Sequence, residues 1–128
     1  RLRADARVLA LEGVNVRDLP AGLPSGLPVP SFLTADLSFI SLIKALPAAL
    51  ALAGPGACLV ALVKPQFEVG REAIGRGGLV RDEAARQRAL EHVCRFIDAA
   101  GWQVLGRTDS PIAGGDGNRE FLVAATRR

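Results

Sequence analysis

The chain has 128 residues, 49% of them hydrophobic, which suffices for one core and leaves no material for a second domain. Its net charge of +3 admits an anionic partner, but the basic residues are scattered, so charge alone does not point to nucleic acid. The longest apolar segment, 42–53, contains Lys44 and Pro47 and is too short to cross a bilayer, which excludes a membrane-spanning helix there.

No apolar leader opens the chain. Cys58 and Cys94 lack metal-ligand spacing and suit the core of a protein from a reducing compartment, so a cytoplasmic protein without a bound metal is expected. The missing initiator Met suggests a piece of something longer.

In chain order, Arg7–Leu11 is a short apolar run closed by Glu12, and it predicts a first strand with Glu12, Asn15 and Asp18 at its tip. Prolines 20, 24, 28 and 30 make 18–30 a loop. Ser31–Ala35 predicts a second strand ending on Asp36. Ser38 or Ser41 then caps a helix over about 42–53, which Gly54-Pro55-Gly56 stops.

The run Ala57–Val63 is seven apolar residues ending abruptly on Lys64, the pattern of a strand buried on both faces of a parallel sheet. Pro65 cannot continue a central ladder, so Lys64 stands at the strand's C-terminal tip. After an irregular glycine-rich stretch, 70–78, Asp82 caps a helix to Ala100 that Gly101 terminates. Its Ala89, Val93, Phe96, Ile97 and Ala100 share one face. Residues 102–106 and 120–125 predict two further strands. The segment between them has no room for a crossover helix, so they pair antiparallel as a hairpin.

This order predicts an α/β fold, a partly doubly wound Rossmann-like sheet with a C-terminal antiparallel hairpin. It puts Asp36 and Lys64 at the C-terminal ends of parallel strands and Glu120 at the N-terminal end of an opposed one, all on one rim. Tips of parallel strands are the usual place for chemistry. Two carboxylates flanking one ammonium would fix it and suit proton handling on a hydroxyl. A solvated strand end for Lys64, a turn residue for Asp36 and an edge charge for Glu120 describe the same pattern taken singly. Only two lysines stand against fourteen arginines, a bias that favours a specific use for Lys64. His92, alone on its helix, reads as a surface residue and Trp102 as core. The glycines at 114, 115 and 117 do not form a nucleotide loop, because they join two strands.

Ala35-Asp36-Leu-Ser-Phe-Ile-Ser-Leu42, Leu62-Val-Lys-Pro-Gln-Phe-Glu-Val-Gly70, Gly77-Gly78-Leu-Val-Arg-Asp82, Gly101-Trp102, Ser110-Pro-Ile and Gly117-Asn118-Arg-Glu-Phe121 follow one another here. In that order they resemble the TlyA/hemolysin A family, which is similar to FtsJ-type ribosomal RNA 2′-O-methyltransferases that use S-adenosylmethionine and carry an N-terminal RNA-binding domain of the S4 type. The resemblance implies that Asp36, Lys64 and Glu120 are the last three members of a Lys-Asp-Lys-Glu catalytic set. It implies that Asn15 and Val16, with Asp36, lie along the cofactor, and that ribosomal RNA is the partner, with Arg71, Arg76 and Arg81 placed for its phosphates.

The resemblance also implies that residues 1–128 are the C-terminal portion of one methyltransferase domain, with the first two strands, the cofactor loop and the S4 domain outside it. The family's Glu-Arg-Thr-Asn stands here as Glu12-Gly13-Val14-Asn15. On this reading the chain alone binds the cofactor poorly and is inactive. The edge of the Ser31–Ala35 strand is then bare, to be covered by the 7–11 strand or by another copy. A non-catalytic RNA- or nucleotide-binding relative and a hemolysin in the literal sense are the competing readings; no segment has membrane-spanning length.

Overall fold

A computed structural model describes all residues, 1–128. Six regular elements follow in order: β1 (Phe32–Ala35), α1 (Leu42–Leu52), β2 (Cys58–Val63), α2 (Glu83–Ala99), β3 (Trp102–Asp109) and β4 (Phe121–Arg127). Ser41 caps α1, its hydroxyl accepting the Ile43 N–H at 3.2 Å, and Asp82 caps α2 by accepting the Ala84 N–H at 2.9 Å. Gly101, at φ +89°, turns the chain from α2 into β3 through backbone space that a side chain disfavours.

The four strands form one sheet in the order β1-β2-β4-β3. β1 and β2 are parallel, and β4 runs antiparallel to both β2 and β3. The expected hairpin is therefore present. Its register pairs Val63, the last residue of β2, with Phe121, the first of β4, which lays the start of β4 beside the tip of β2.

A single apolar cluster holds the molecule together. Leu59, Ala61 and Val63 of β2, and Phe121, Val123 and Ala125 of β4, meet Leu42, Leu46 and Leu50 of α1 and Leu90, Val93 and Ile97 of α2. Trp102, 1% exposed, belongs to it, as the sequence suggests.

Three expectations need correction. First, Arg7–Leu11 is not a strand: it is irregular, exposed, and has no strand beside it. A strand exists only as part of a ladder, and no other segment of the chain offers this one a partner, so its apolar pattern alone does not fold it. Accordingly Glu12 is not a strand tip but pairs with Arg3, and the segment does not cover the outer edge of β1. Second, β2 is not buried on both faces. Leu59, Ala61 and Val63 are buried, while Cys58, Val60 and Leu62 are half-buried, because both helices share one cluster on one face of the sheet. Third, for the same reason, the helices do not flank the sheet on two sides: the chain is a two-layer α/β unit. On the face of α2 shared by Ala89, Val93, Phe96, Ile97 and Ala100, Ala89, Val93 and Ile97 are buried, Phe96 packs half-buried against the core and Ala100 is exposed.

Candidate active site

Three segments converge beyond the tips of β1 and β2. After β1 the chain turns through 36–41, after β2 it makes a short 3₁₀ turn at Pro65–Phe67, and the 110–120 connection leads into β4. Pro65 fits the first position of that turn, where its missing N–H is not needed. The first two segments are laced together. Lys64 Nζ lies 2.7 Å from Asp36 Oδ1 and donates to Ser38 Oγ at 3.0 Å, and the Lys64 side chain is 13% exposed. Four residues on, the Glu68 carboxylate accepts from Ser41 Oγ at 2.6 Å and from the Leu42 N–H at 2.8 Å, so it caps α1 from outside. Burial pushes the Glu68 carboxyl up from its ordinary value, and the bonds from Ser41 and Leu42, with His92 nearby, partly oppose the rise.

Glu120 is fixed differently. Its carboxylate is nearly buried and accepts from Gln66 Nε2 at 3.0 Å; the same amide reaches Asp116 Oδ2 at 3.4 Å. Two carboxylates around Nε2 settle the orientation of the amide, leaving Gln66 Oε1 as a buried acceptor without a partner. Asp116 accepts the Asn118 N–H, which holds its carboxyl below the usual range, with a smaller contribution from Lys64. The backbone on either side of Glu120 is held by Arg86, itself buried. Its Nε donates to the Arg119 carbonyl at 3.3 Å, its guanidinium lies 4.6 Å from the centre of the Phe121 ring, and it pairs with Glu83. Gly114 completes the packing: a Cβ there would sit 2.9 Å from Glu120 Oε2.

The three segments enclose a cavity of about 480 Å³ lined by Asp36, Ser38, Phe39, Lys64, Gln66, Phe67, Asp116 and Glu120, with Leu62, Gly114 and Gly115. Three carboxylates face one ammonium, so the cavity is net negative. It therefore suits a cationic or neutral group far better than a phosphate. One aromatic ring stands in it unusually. Phe39 is 91% exposed with a left-handed backbone, φ +65°, and its ring rests at 5.3 Å on that of Phe67. A non-glycine residue in that region costs of order 1–3 kcal/mol and is concentrated at functional sites.

Asp36, Lys64 and Glu120 thus line one cavity, but Glu120 is bound by Gln66, not by Lys64. Asn15 and Val16 do not line it. Asn15 caps a 3₁₀ turn at Val16–Asp18, its side chain accepting the Arg17 N–H. Arg71, Arg76 and Arg81 are exposed along the glycine-rich segment. No group of three His, Cys, Asp or Glu side chains gathers as a metal site would require. Sequence reasoning missed Gln66, Asp116, Ser38 and Phe39. The one available signal was for Gln66, which the Pro65 turn is bound to carry toward the rim.

Residues 1–127 match the model of a family described as FtsJ-like methyltransferase. A 16S/23S rRNA (cytidine-2′-O)-methyltransferase, TlyA of Mycobacterium tuberculosis, is 43% identical over 122 residues, 95% of this chain and 45% of that protein. A protein named Hemolysin A from Brachyspira hyodysenteriae is 35% identical over 123 residues, 96% of this chain and 51% of its own length. The chain spans about half the length of these curated relatives. A crystal structure from Lactococcus lactis bearing the name "putative hemolysin" superposes with a TM-score of 0.90 at 41% identity, covering 98% of this chain and 60% of that one. No helix is long and apolar enough to cross a membrane.

Proposed function

Because the chain belongs to the FtsJ-like methyltransferase family, we propose that it is the C-terminal part of an enzyme that transfers a methyl group from S-adenosylmethionine to a ribose 2′-hydroxyl of ribosomal RNA. The observation that carries this reading is the cavity that Lys64, paired with Asp36 at 2.7 Å, shares with Glu120 at the entry to β4.

S-Adenosylmethionine, when bound, supplies an electrophilic methyl group on a cationic sulfur. An acid-rich cavity fits that charge, and Asp36, with its side chain 74% exposed, is the carboxylate free to face it. The fit is confined to this end, since Asn15 and Val16 do not reach the cavity. The cofactor's remaining contacts belong to the rest of the enzyme.

The chain's own groups handle the hydroxyl. Lys64, tethered by Asp36 and Ser38, stands where its free-amine form takes the proton of the 2′-hydroxyl, becoming the ammonium that Asp36 pairs as the oxygen takes up the methyl group. Asp36 and Glu120 orient that lysine and the hydroxyl, Glu120 being fixed through Gln66. Phe39, exposed at the mouth, offers a face on which the nucleobase stacks. Holding the oxygen in line with the methyl group supplies much of the rate. Arg71, Arg76 and Arg81 take phosphates outside the cavity.

The test is single-turnover methylation of ribosomal RNA by the full-length protein with Lys64→Ala and Lys64→Arg. Guanidinium stays protonated in proteins, so a proton-handling lysine is not rescued by Arg. Both variants should lose about 10²- to 10⁴-fold in rate with RNA and cofactor affinities little changed. Substantial activity in Lys64→Arg would make Lys64 a fixed charge and nothing more.

A further inference from the structure

The cavity that holds Lys64 is net negative, so it repels the phosphates that flank any nucleotide placed in it. Those phosphates need a cationic surface within one nucleotide's reach. Such a surface lies directly across the Phe39–Phe67 ring pair. A second cavity, about 400 Å³, shares both rings and is otherwise lined by Arg17, Ile40, Ser41 and Lys44, with no carboxylate among its lining residues.

Neither of its two cations makes an ion pair. Asn15 caps the Val16–Asp18 turn, which packs against α1, and that packing sets Arg17 beside Lys44 on the first turn of the helix. The Arg17 guanidinium touches only the neutral amide oxygen of Asn15, at 3.4 Å. Lys44 Nζ has no hydrogen-bond or ion-pair partner. Glu68, which caps the same end of α1, is turned inward to Ser41 and the Leu42 N–H. The amino end of α1 is thus already capped, and the positive character of the cavity comes from the two side chains.

Accepting RNA as the substrate, we propose that this second cavity binds a phosphodiester adjacent to the methylated nucleotide. The strand then crosses the Phe39–Phe67 ridge from the α1 side, its ribose falling toward Lys64 and its phosphate remaining between Arg17 and Lys44. The ridge separates the two charge environments: a stacking face between an acid-rich pocket for the hydroxyl and a cationic pocket for the backbone. This is a different surface from the glycine-rich segment that bears Arg71, Arg76 and Arg81.

The experiment uses the full-length protein, a ribosomal RNA fragment known from the wild type to be bound, and the double variant Arg17→Ala/Lys44→Ala. Each lost contact to a single strand makes the plot of log affinity against log salt shallower by about 0.7. The double variant should therefore lose about 1.4 in slope and about 10- to 100-fold in RNA affinity near ~50 mM salt. Cofactor affinity and the single-turnover rate at saturating RNA should stay within about threefold, and Arg95→Ala, on α2, should leave the RNA slope unchanged. An unchanged slope and affinity in the double variant overturns the assignment, and so does a loss of cofactor affinity, which would give the cavity to the cofactor. A wild-type protein that binds the fragment but never methylates it defeats the enzymatic reading instead, and the slope measurement still decides the subsite.

Discussion

Asn118 is 2% exposed and every polar group it owns is used. Its Oδ1 accepts the Val80 N–H at 2.9 Å and its Nδ2 donates to the Gly78 carbonyl at 2.9 Å, stapling the glycine-rich segment to the connection that leads into Glu120. Its own N–H goes to Asp116, and its carbonyl accepts from Gly114 at 2.8 Å. Replacing it with Leu keeps the volume and removes only the side-chain bonds. The Val80 N–H is then orphaned in a buried residue, at about 1–3 kcal/mol, while the Gly78 carbonyl, in an exposed residue, regains water and loses about 0.5–1.5 kcal/mol. The sum, about 1.5–4.5 kcal/mol, is a large share of the ~5–15 kcal/mol that stabilises a domain. Urea denaturation at neutral pH measures it directly. Asn118→Asp refines the test: it keeps an acceptor for Val80 but turns a second oxygen toward the Gly78 carbonyl. That variant should be destabilised at neutral pH and recover as the pH falls and the carboxyl gains a proton to donate. An Asn118→Leu variant within about 0.5 kcal/mol of the wild type would refute the view that this staple holds the site's third wall.

Two further outcomes follow from single contacts. Glu68 has its carboxyl raised above the ordinary 4.5, so the folded state binds more protons than the unfolded one and stability falls as the pH climbs from about 4.5 through the raised value. Glu68→Gln should flatten that segment of the stability profile, as urea midpoints at closely spaced pH values would show; a profile parallel to the wild type's would remove Glu68 as its source. Gly114→Ala puts a methyl group 2.9 Å from Glu120 Oε2 and 3.0 Å from Asp116 Oδ1, both on side chains that can shift. Stability should change by less than about 1 kcal/mol while single-turnover methylation by the full-length protein falls about tenfold or more, since displacement of a site group by ~1 Å costs up to ~10²-fold; an unchanged rate would show that the position of Glu120 is not critical.

What the chain's own order of residues determined is the set of elements with local causes. The cap at Asp82, the breaks at Pro65 and Gly101, and the absence of a crossover helix between β3 and β4 each act within a few residues and appear where the sequence puts them, while of the two serines offered as the cap of α1 the structure uses Ser41. The antiparallel β4 followed from them, and with it the meeting of Glu120 with Asp36 and Lys64 at one rim. The tertiary structure decided what depends on a neighbour distant in sequence. Arg7–Leu11 has a strand's pattern but no ladder to join, and β2 has a doubly buried pattern but helices on one face only. Gln66 and Glu120 are 54 residues apart, so no local spacing could tell that the amide, and not the lysine, binds that carboxylate. Phe39, between Ser38 and Ile40, carries no local sign of its exposure; its left-handed backbone, in a segment laced to 64–68, turns the ring out to solvent beside the site.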